Sequence, residues 1–179
     1  MQVSPPFAPA LRTAAAAAVQ GYQMREEEED EGEEDEDGNI IYPEHDGGIR
    51  TAVRAWCTDP ASAKAKYGPI ASWDTSGITS MKYLFIDKED FNEDISHWNV
   101  SNVEEMNYMF DGATSFTGDL SSWEVGQVES MRCMFEGATS FTHQLGGAWP
   151  TSTADKHMMF YNSPGTIAGK VKDASGTIR

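Results

Sequence analysis

The 179-residue chain sets 29 acidic residues against 13 basic ones, a formal net charge of −16, with 39% hydrophobic residues. That length supports one domain with modest extensions, and the acidic excess argues against a nucleic-acid partner, because phosphate binding needs clustered cations. No run approaches the roughly 20 apolar residues that cross a bilayer as a helix, so a membrane span is excluded.

Residues 1–25 read as a flexible leader. Two proline-containing pairs give way to an alanine run, a weak helix at best because alanine buries little area. As a secretory signal the leader lacks a basic start and a strongly apolar stretch. As a transit peptide it has no acid before Glu26 but only Arg12 and Arg25 as cations. Residues 26–38 form a disordered acidic run: EEEEDEGEEDED contains eleven acids and one glycine, and like charges at that density repel and bury nothing. Without it the formal charge is about −5.

Residues 39–69 read as a linker and a helical cap. Ile49, Ala52, Val53 and Trp56 fall at helical spacing; Pro60 restarts the pattern, and Gly68 and Pro69 stop it. Two short helices with one apolar side suit the open end of a repeat array, with Arg50, Arg54, Lys64 and Lys66 on the polar side.

From residue 70 to 161 the chain repeats every 25 residues. Columns run through Ile70, Ile95, Leu120 and Leu145; through Trp73, Trp98 and Trp123; and through Ile78, Val103 and Val128. Others are Met81, Met106 and Met131; Leu84, Met109, Met134 and Met159; Phe85, Phe110, Phe135 and Phe160; and Phe91, Phe116 and Phe141. A period of this length with so many apolar columns predicts an α/β solenoid, a leucine-rich-repeat-like stack of about three to four coils, each with a short strand and a short helix. Ser101 and Glu104 match a capping box, so a helix of about ten residues is expected to start near Val103 and, by repetition, near Val128. Gly112 and Gly137 stand where its left-handed terminus belongs. Leu120 and Trp123 then point inward from a short strand.

Motifs that could carry chemistry are sparse. The Met and Trp columns read as core rather than as metal or ligand surfaces. Asp94 and Asp119 recur, but Asn92 and Glu93 give way to Thr117 and Gly118, too few ligands for calcium, so turn duties are expected of them. Cys57 and Cys133 have no metal-ligand spacing, and Cys133 shares a column with Tyr83 and Tyr108. His45, His97, His143 and His157 share no column. No catalytic, cofactor-binding or metal residues are therefore expected, and no enzyme.

The units ISHWNVSNVEEMNYMFDGATSFTGD and LSSWEVGQVESMRCMFEGATSFTHQ, with the entry segments AVRAW and YGPIASWDTS, resemble the repeat of the BspA-like leucine-rich-repeat surface proteins over residues 48–160. The resemblance implies a leucine-rich-repeat-like solenoid, a cell-surface or secreted location, and adhesion or protein binding, with no catalytic residues. The expected function is a non-catalytic platform contacting a protein or glycan through positions between the core columns: Ser96, His97, Asn99, Ser121, Ser122 and Glu124. In the alternative reading the acidic run captures basic partners or cations and the solenoid anchors it. The fourth copy degenerates: Trp149 arrives one residue late and Lys156 replaces Met. Residues 162–179, rich in Gly, Ser, Thr and Lys, read as a tail and a poor cap, which leaves fraying, self-association through an uncovered end, or an array cut short as the expectations.

Overall fold

The computed structural model describes residues 48–179, together with the backbone of two short strands, β1 (Glu33–Glu34) and β2 (Ile40–Ile41), paired antiparallel. The acidic run thus supplies β1; the rest of it and the leader lie outside the described residues. Helix α1 (Ile49–Thr58) follows Gly48, whose φ of 84° is left-handed, and turns Ile49, Ala52, Val53 and Trp56 inward. Helix α2 (Pro60–Tyr67) begins with proline, which needs no N–H partner there. The Asp59 carboxylate caps it, accepting from the Ala61 and Ser62 amides at 3.1 Å. These helices stand where the spacing of their apolar residues placed them, against the first 25-residue unit. Trp56 meets Trp73 edge to face at 5.8 Å, and the Arg50 guanidinium donates to the Lys82 carbonyl.

From Ile70 onward the units lie side by side in parallel register. Ser80, Glu105, Ser130 and Asp155 form successive parallel bridges. Beyond each bridge the backbone N–H groups alternate in direction. Those of Met81, Tyr83, Phe85 and Asp87 donate to Glu105, Asn107, Met109 and Asp111 of the next unit at 2.8–2.9 Å, while those of Leu84, Ile86 and Lys88 turn back to Met81, Tyr83 and Phe85 at 3.2 Å. The next pair of units repeats the pattern: Met106, Tyr108, Phe110 and Gly112 donate to Ser130, Arg132, Met134 and Glu136.

Each of these segments is therefore a chain of tight turns, and the helix expected near Val103 and Val128 is absent. Its hydrogen bonds would run within the segment, from residue i to i−4, whereas here alternate N–H groups serve the neighbouring unit. Left-handed residues also interrupt any helix: φ is 61° at Tyr83, 56° at Tyr108 and 53° at both Cys133 and Met158. The capping box does not form either. The Ser101 hydroxyl donates to Asn99 Oδ1 at 2.7 Å, and the Glu104 amide donates to Thr79 of the preceding unit at 2.7 Å. The expected strand around Leu120 and Trp123 is likewise a turn, closed by the Trp123 amide on the Leu120 carbonyl at 3.0 Å.

The apolar columns are buried throughout, with Met81, Met106, Met109, Met131, Met134 and Met159 each fully enclosed. Phe85, Phe110, Phe135 and Phe160 stack face to face at 5.3–5.4 Å, close to the ~4.8 Å between hydrogen-bonded strands. Phe91, Phe116 and Phe141 form a second stack at 5.9 Å, reaching the first at 4.0–4.2 Å. The indole N–H of Trp98 donates to Ile70, and that of Trp123 to Ile95, both carbonyls of the preceding unit, at 2.9 and 3.2 Å. These two buried indoles thus have the partner a buried indole requires, whereas the buried Trp56 N–H meets no acceptor among the described residues.

The fourth unit keeps this plan better than its sequence promises. Trp149 is fully buried and donates to the Leu120 carbonyl at 2.8 Å, continuing the series. The added residue is taken up at Gly146 and Gly147, where Gly147 has φ 57°. Lys156 is buried, and its ammonium donates to the carbonyls of Ser152 at 2.7 Å and Ala154 at 3.1 Å. Burial pulls the Lys156 amine below the ordinary lysine range.

The tail, expected as a poor cap, covers the end of the array. Strand β3 (Gln144–Leu145) pairs in parallel with β4 (Thr166–Ile167), so one more turn of chain is laid on the fourth unit. Residues 171–179 then fold back on themselves, with Lys172 opposite Ile178 in an antiparallel bridge. The Gly176 carbonyl accepts the Phe160 amide at 3.0 Å and the Thr177 hydroxyl accepts the Met158 amide at 2.9 Å. The small polar residues that make the tail look weak in sequence let it turn tightly and supply these acceptors.

Candidate functional site

The turn that opens each unit exposes the positions between the core columns. In the second unit, Asp94 Oδ1 accepts from the Ser96 amide at 3.0 Å and hydroxyl at 2.7 Å. Asn99 Oδ1 accepts in the same way from Ser101, at 3.0 and 2.7 Å. In the third unit Asp119 accepts from the Ser121 amide at 2.9 Å. These bonds are the turn duties expected of Asp94 and Asp119. The serine donors hold both carboxyls below their ordinary range, with smaller contributions from nearby His97 and His143.

The six positions read as contacts divide into two kinds. Ser96 and Ser121 are half-buried and their side chains are committed to the fold: the Ser96 hydroxyl donates to Asp94 Oδ1 at 2.7 Å, and Ser121 Oγ accepts the Gly146 amide at 3.2 Å, while the exposed Ser122 hydroxyl donates to the Ser96 carbonyl at 3.1 Å. His97, Asn99, Ser122 and Glu124 are exposed. His97 and Ser122 occupy matching places in adjacent units, as do Asn99 and Glu124, so the parallel register brings four exposed side chains to one edge. The core residues Trp98, Val100, Trp123 and Val125 hold that edge from below.

A second surface, along the bridged segments, escaped the sequence reading. Its signal was the column of Tyr83, Tyr108 and Cys133, which does not follow core chemistry. Tyr83 and Tyr108 stack at 5.0 Å with 12° between their planes, and the Lys82 ammonium lies 5.0 Å from the Tyr83 ring. Asn107 Oδ1 accepts from the Arg132 amide at 3.0 Å and from the Ser130 hydroxyl, and Arg132 pairs with Asp155 at 3.2 Å. Asp111 is half-buried beside this stack. Burial, followed by the negative charges of Glu136 and Asp87, raises its carboxyl to about 6. Burial also raises Cys133 to about 12, with Glu136 adding to it, and Cys57 to about 11. Both thiols are thus protonated at neutral pH, and the thiolate is the reactive form.

Among the described residues, no group of three His, Cys, Asp or Glu side chains converges as a metal site, and no helix is long and apolar enough to cross a membrane. No curated protein and no solved structure matches the chain. A family model does: "Mycoplasma protein of unknown function, DUF285" matches residues 58–171, more than half of the sequence, and the chain belongs to this family.

Proposed function

We propose that the chain is a non-catalytic binding protein of the BspA-like kind, a leucine-rich-repeat-like solenoid displayed at the cell surface or secreted, whose outer edge contacts a partner protein or glycan. The observation that carries this reading is the division of labour within each unit. Apolar columns are consumed by the core, while His97, Asn99, Ser122 and Glu124 recur in register on one rigid edge. A repeat stack held by cross-unit hydrogen bonds keeps such side chains at fixed spacing, which lowers the ordering cost of binding. No cofactor or metal enters this function. A second reading is favoured by the eleven acids within residues 26–37: the acidic run binds basic partners electrostatically and the repeat units anchor it.

One experiment separates the two. The full chain, a form starting at Gly38, and a full chain with His97, Asn99, Ser122 and Glu124 changed to alanine are each used to capture partners at low and high salt. The edge reading expects the Gly38 form to keep the same partners at both salt concentrations, and the quadruple alanine form to lose them. If the partners vanish with the acidic run and with salt, the charge run carries the binding, because exposed charge is screened beyond ~8 Å at physiological ionic strength. If alanine at the four positions weakens capture no more than alanine at Thr139 and Lys170, the edge reading fails.

A further inference from the structure

We propose that Asn99 is an attachment site for an N-linked oligosaccharide; this rests on the surface-protein reading, since attachment requires export. The sequence around it reads Asn99-Val100-Ser101, the tripeptide that asparagine-linked glycosylation requires, with no proline in the middle. Asn39, Asn92, Asn102, Asn107 and Asn162 each lack a serine or threonine two residues on.

The geometry separates the two ends of the Asn99 side chain. Its oxygen is fully used, accepting the Ser101 amide at 3.0 Å and hydroxyl at 2.7 Å. Its amide nitrogen meets no acceptor among the described residues and lies on an exposed turn, while Trp98 and Val100 on either side are buried. The same turn occurs elsewhere in the chain with an aspartate as the acceptor. Asp74 accepts from Ser76 at 3.1 and 2.6 Å, Asp94 from Ser96 at 3.0 and 2.7 Å, and Asp173 from Ser175 at 3.0 and 2.7 Å. A carboxylate makes the stronger, charge-assisted bond, so the turn itself does not require an amide at position 99, although between Asp74 and Glu124 of the same column the amide also spares the edge a third negative charge. What asparagine adds is the one atom the turn does not use, Nδ2. By contrast, Asn102 spends its Nδ2 on the Ser76 carbonyl at 2.8 Å.

The step is a substitution at carbon. Nδ2 forms a bond to C1 of the first sugar of a lipid-linked sugar diphosphate, the C1–oxygen bond to the diphosphate breaks, and the diphosphate leaves with that electron pair. Nδ2 gives up one proton and keeps the other. Oδ1 is untouched, so the turn bonds to Ser101 survive. The sugar then stands on the edge between His97 and Glu124, and the modified chain presents carbohydrate there.

The test takes the chain from the cells that make it, weighs the peptide containing residue 99, and repeats the measurement after an amide-cleaving glycosidase. The expected result is a peptide heavier by a hexosamine-containing chain, which the enzyme removes while converting Asn99 to aspartate. Asn99→Asp, which keeps the turn as Asp74 does, is expected to lose the added mass and to melt at the same temperature as the enzyme-treated chain. An unmodified peptide from protein recovered outside the cell overturns this proposal and leaves the binding reading standing. An unmodified peptide from protein found only inside the cell overturns both.

Discussion

Asp111 shows how an outward position in a repeat stack acquires an energetic cost. Partial burial of Asp111 disfavours its charged form, and parallel register adds the negative charges of Glu136 of the next unit and Asp87 of the preceding one, so its carboxyl rises from 3.8 to about 6. A carboxyl that holds its proton more tightly when folded favours the native state fully at pH below the unfolded value. That contribution is lost as pH rises from 3.8 through about 6. Because the group is partly solvated, the penalty at about pH 7 is discounted to ~1 kcal/mol rather than the larger figure the full shift would give. Asp111→Asn is accordingly expected to raise the melting temperature by a few degrees at about pH 7, and the gain is expected to be mostly gone at about pH 4. Thermal melts of both proteins across that range check this; a gain that does not depend on pH would assign the effect to packing instead of charge.

The adjacent glycines Gly146 and Gly147 show what the fourth unit demands of its backbone. A side chain at Gly147, whose φ is 57°, would bring a Cβ to 2.2 Å from the Ser121 carbonyl oxygen, whereas a Cβ at Gly146 meets nothing within 4 Å. Gly147→Ala is expected to destabilise the chain by ~2 kcal/mol or more, combining left-handed strain with a clash against backbone that cannot step aside. Gly146→Ala is expected to change stability by less than ~0.5 kcal/mol. Chemical denaturation of the two variants reads the contrast, and equal losses would mean that the insertion is not absorbed at Gly147. The same elements mark where sequence reading succeeds and fails. The apolar columns were legible because burial follows side-chain chemistry at a fixed period. The turn ladder was not, because residues three and four apart share a side in tight turns as they do in a helix, so Met106, Met109 and Phe110 fit both. Tyr108 and Cys133 at positive φ gave no warning, since left-handed backbone is expected of glycine or asparagine. Gly112 and Gly137 were read as left-handed and are, at 70° and 65°, but they close a turn and not a helix. The edge residues His97, Asn99, Ser122 and Glu124 were legible as outward positions from their places between the core columns, but the same reading put Ser96 and Ser121 outward and both are half-buried. The Tyr83–Tyr108 stack was not, because cross-unit contact depends on register.

At the scale of the molecule, a repeat array has two ends at which backbone groups lose the neighbour that would pair with them, and such edges recruit other chains unless they are covered. Here α1 and α2 cover one end and residues 166–179 the other. At the second end the cover works through hydrogen bonds as much as through apolar burial: Gly176 and Thr177 take the Phe160 and Met158 amides, and the Lys172 ammonium takes the Ser163 and Gly165 carbonyls at 2.7 and 3.0 Å. Lys156 acts one layer in. The column that holds Met81, Met106 and Met131 ends there in a charge already bound to its own turn, and a further unit stacked on it would have to leave that charge enclosed, which costs several kcal/mol unless it stays paired. Ending the chain at Gly165 should therefore expose the Leu145 strand and the Phe160 amide together. The expected outcome is a lower melting temperature and self-association that grows with protein concentration in sedimentation velocity, while the full chain stays at one size over the same range. Adding Lys156→Met to the shortened chain should strengthen the association, because it restores the apolar column at the exposed end. A shortened chain that melts unchanged and remains a single small species would mean that residues 166–179 lie on the array without closing it, and that the four units hold their own end.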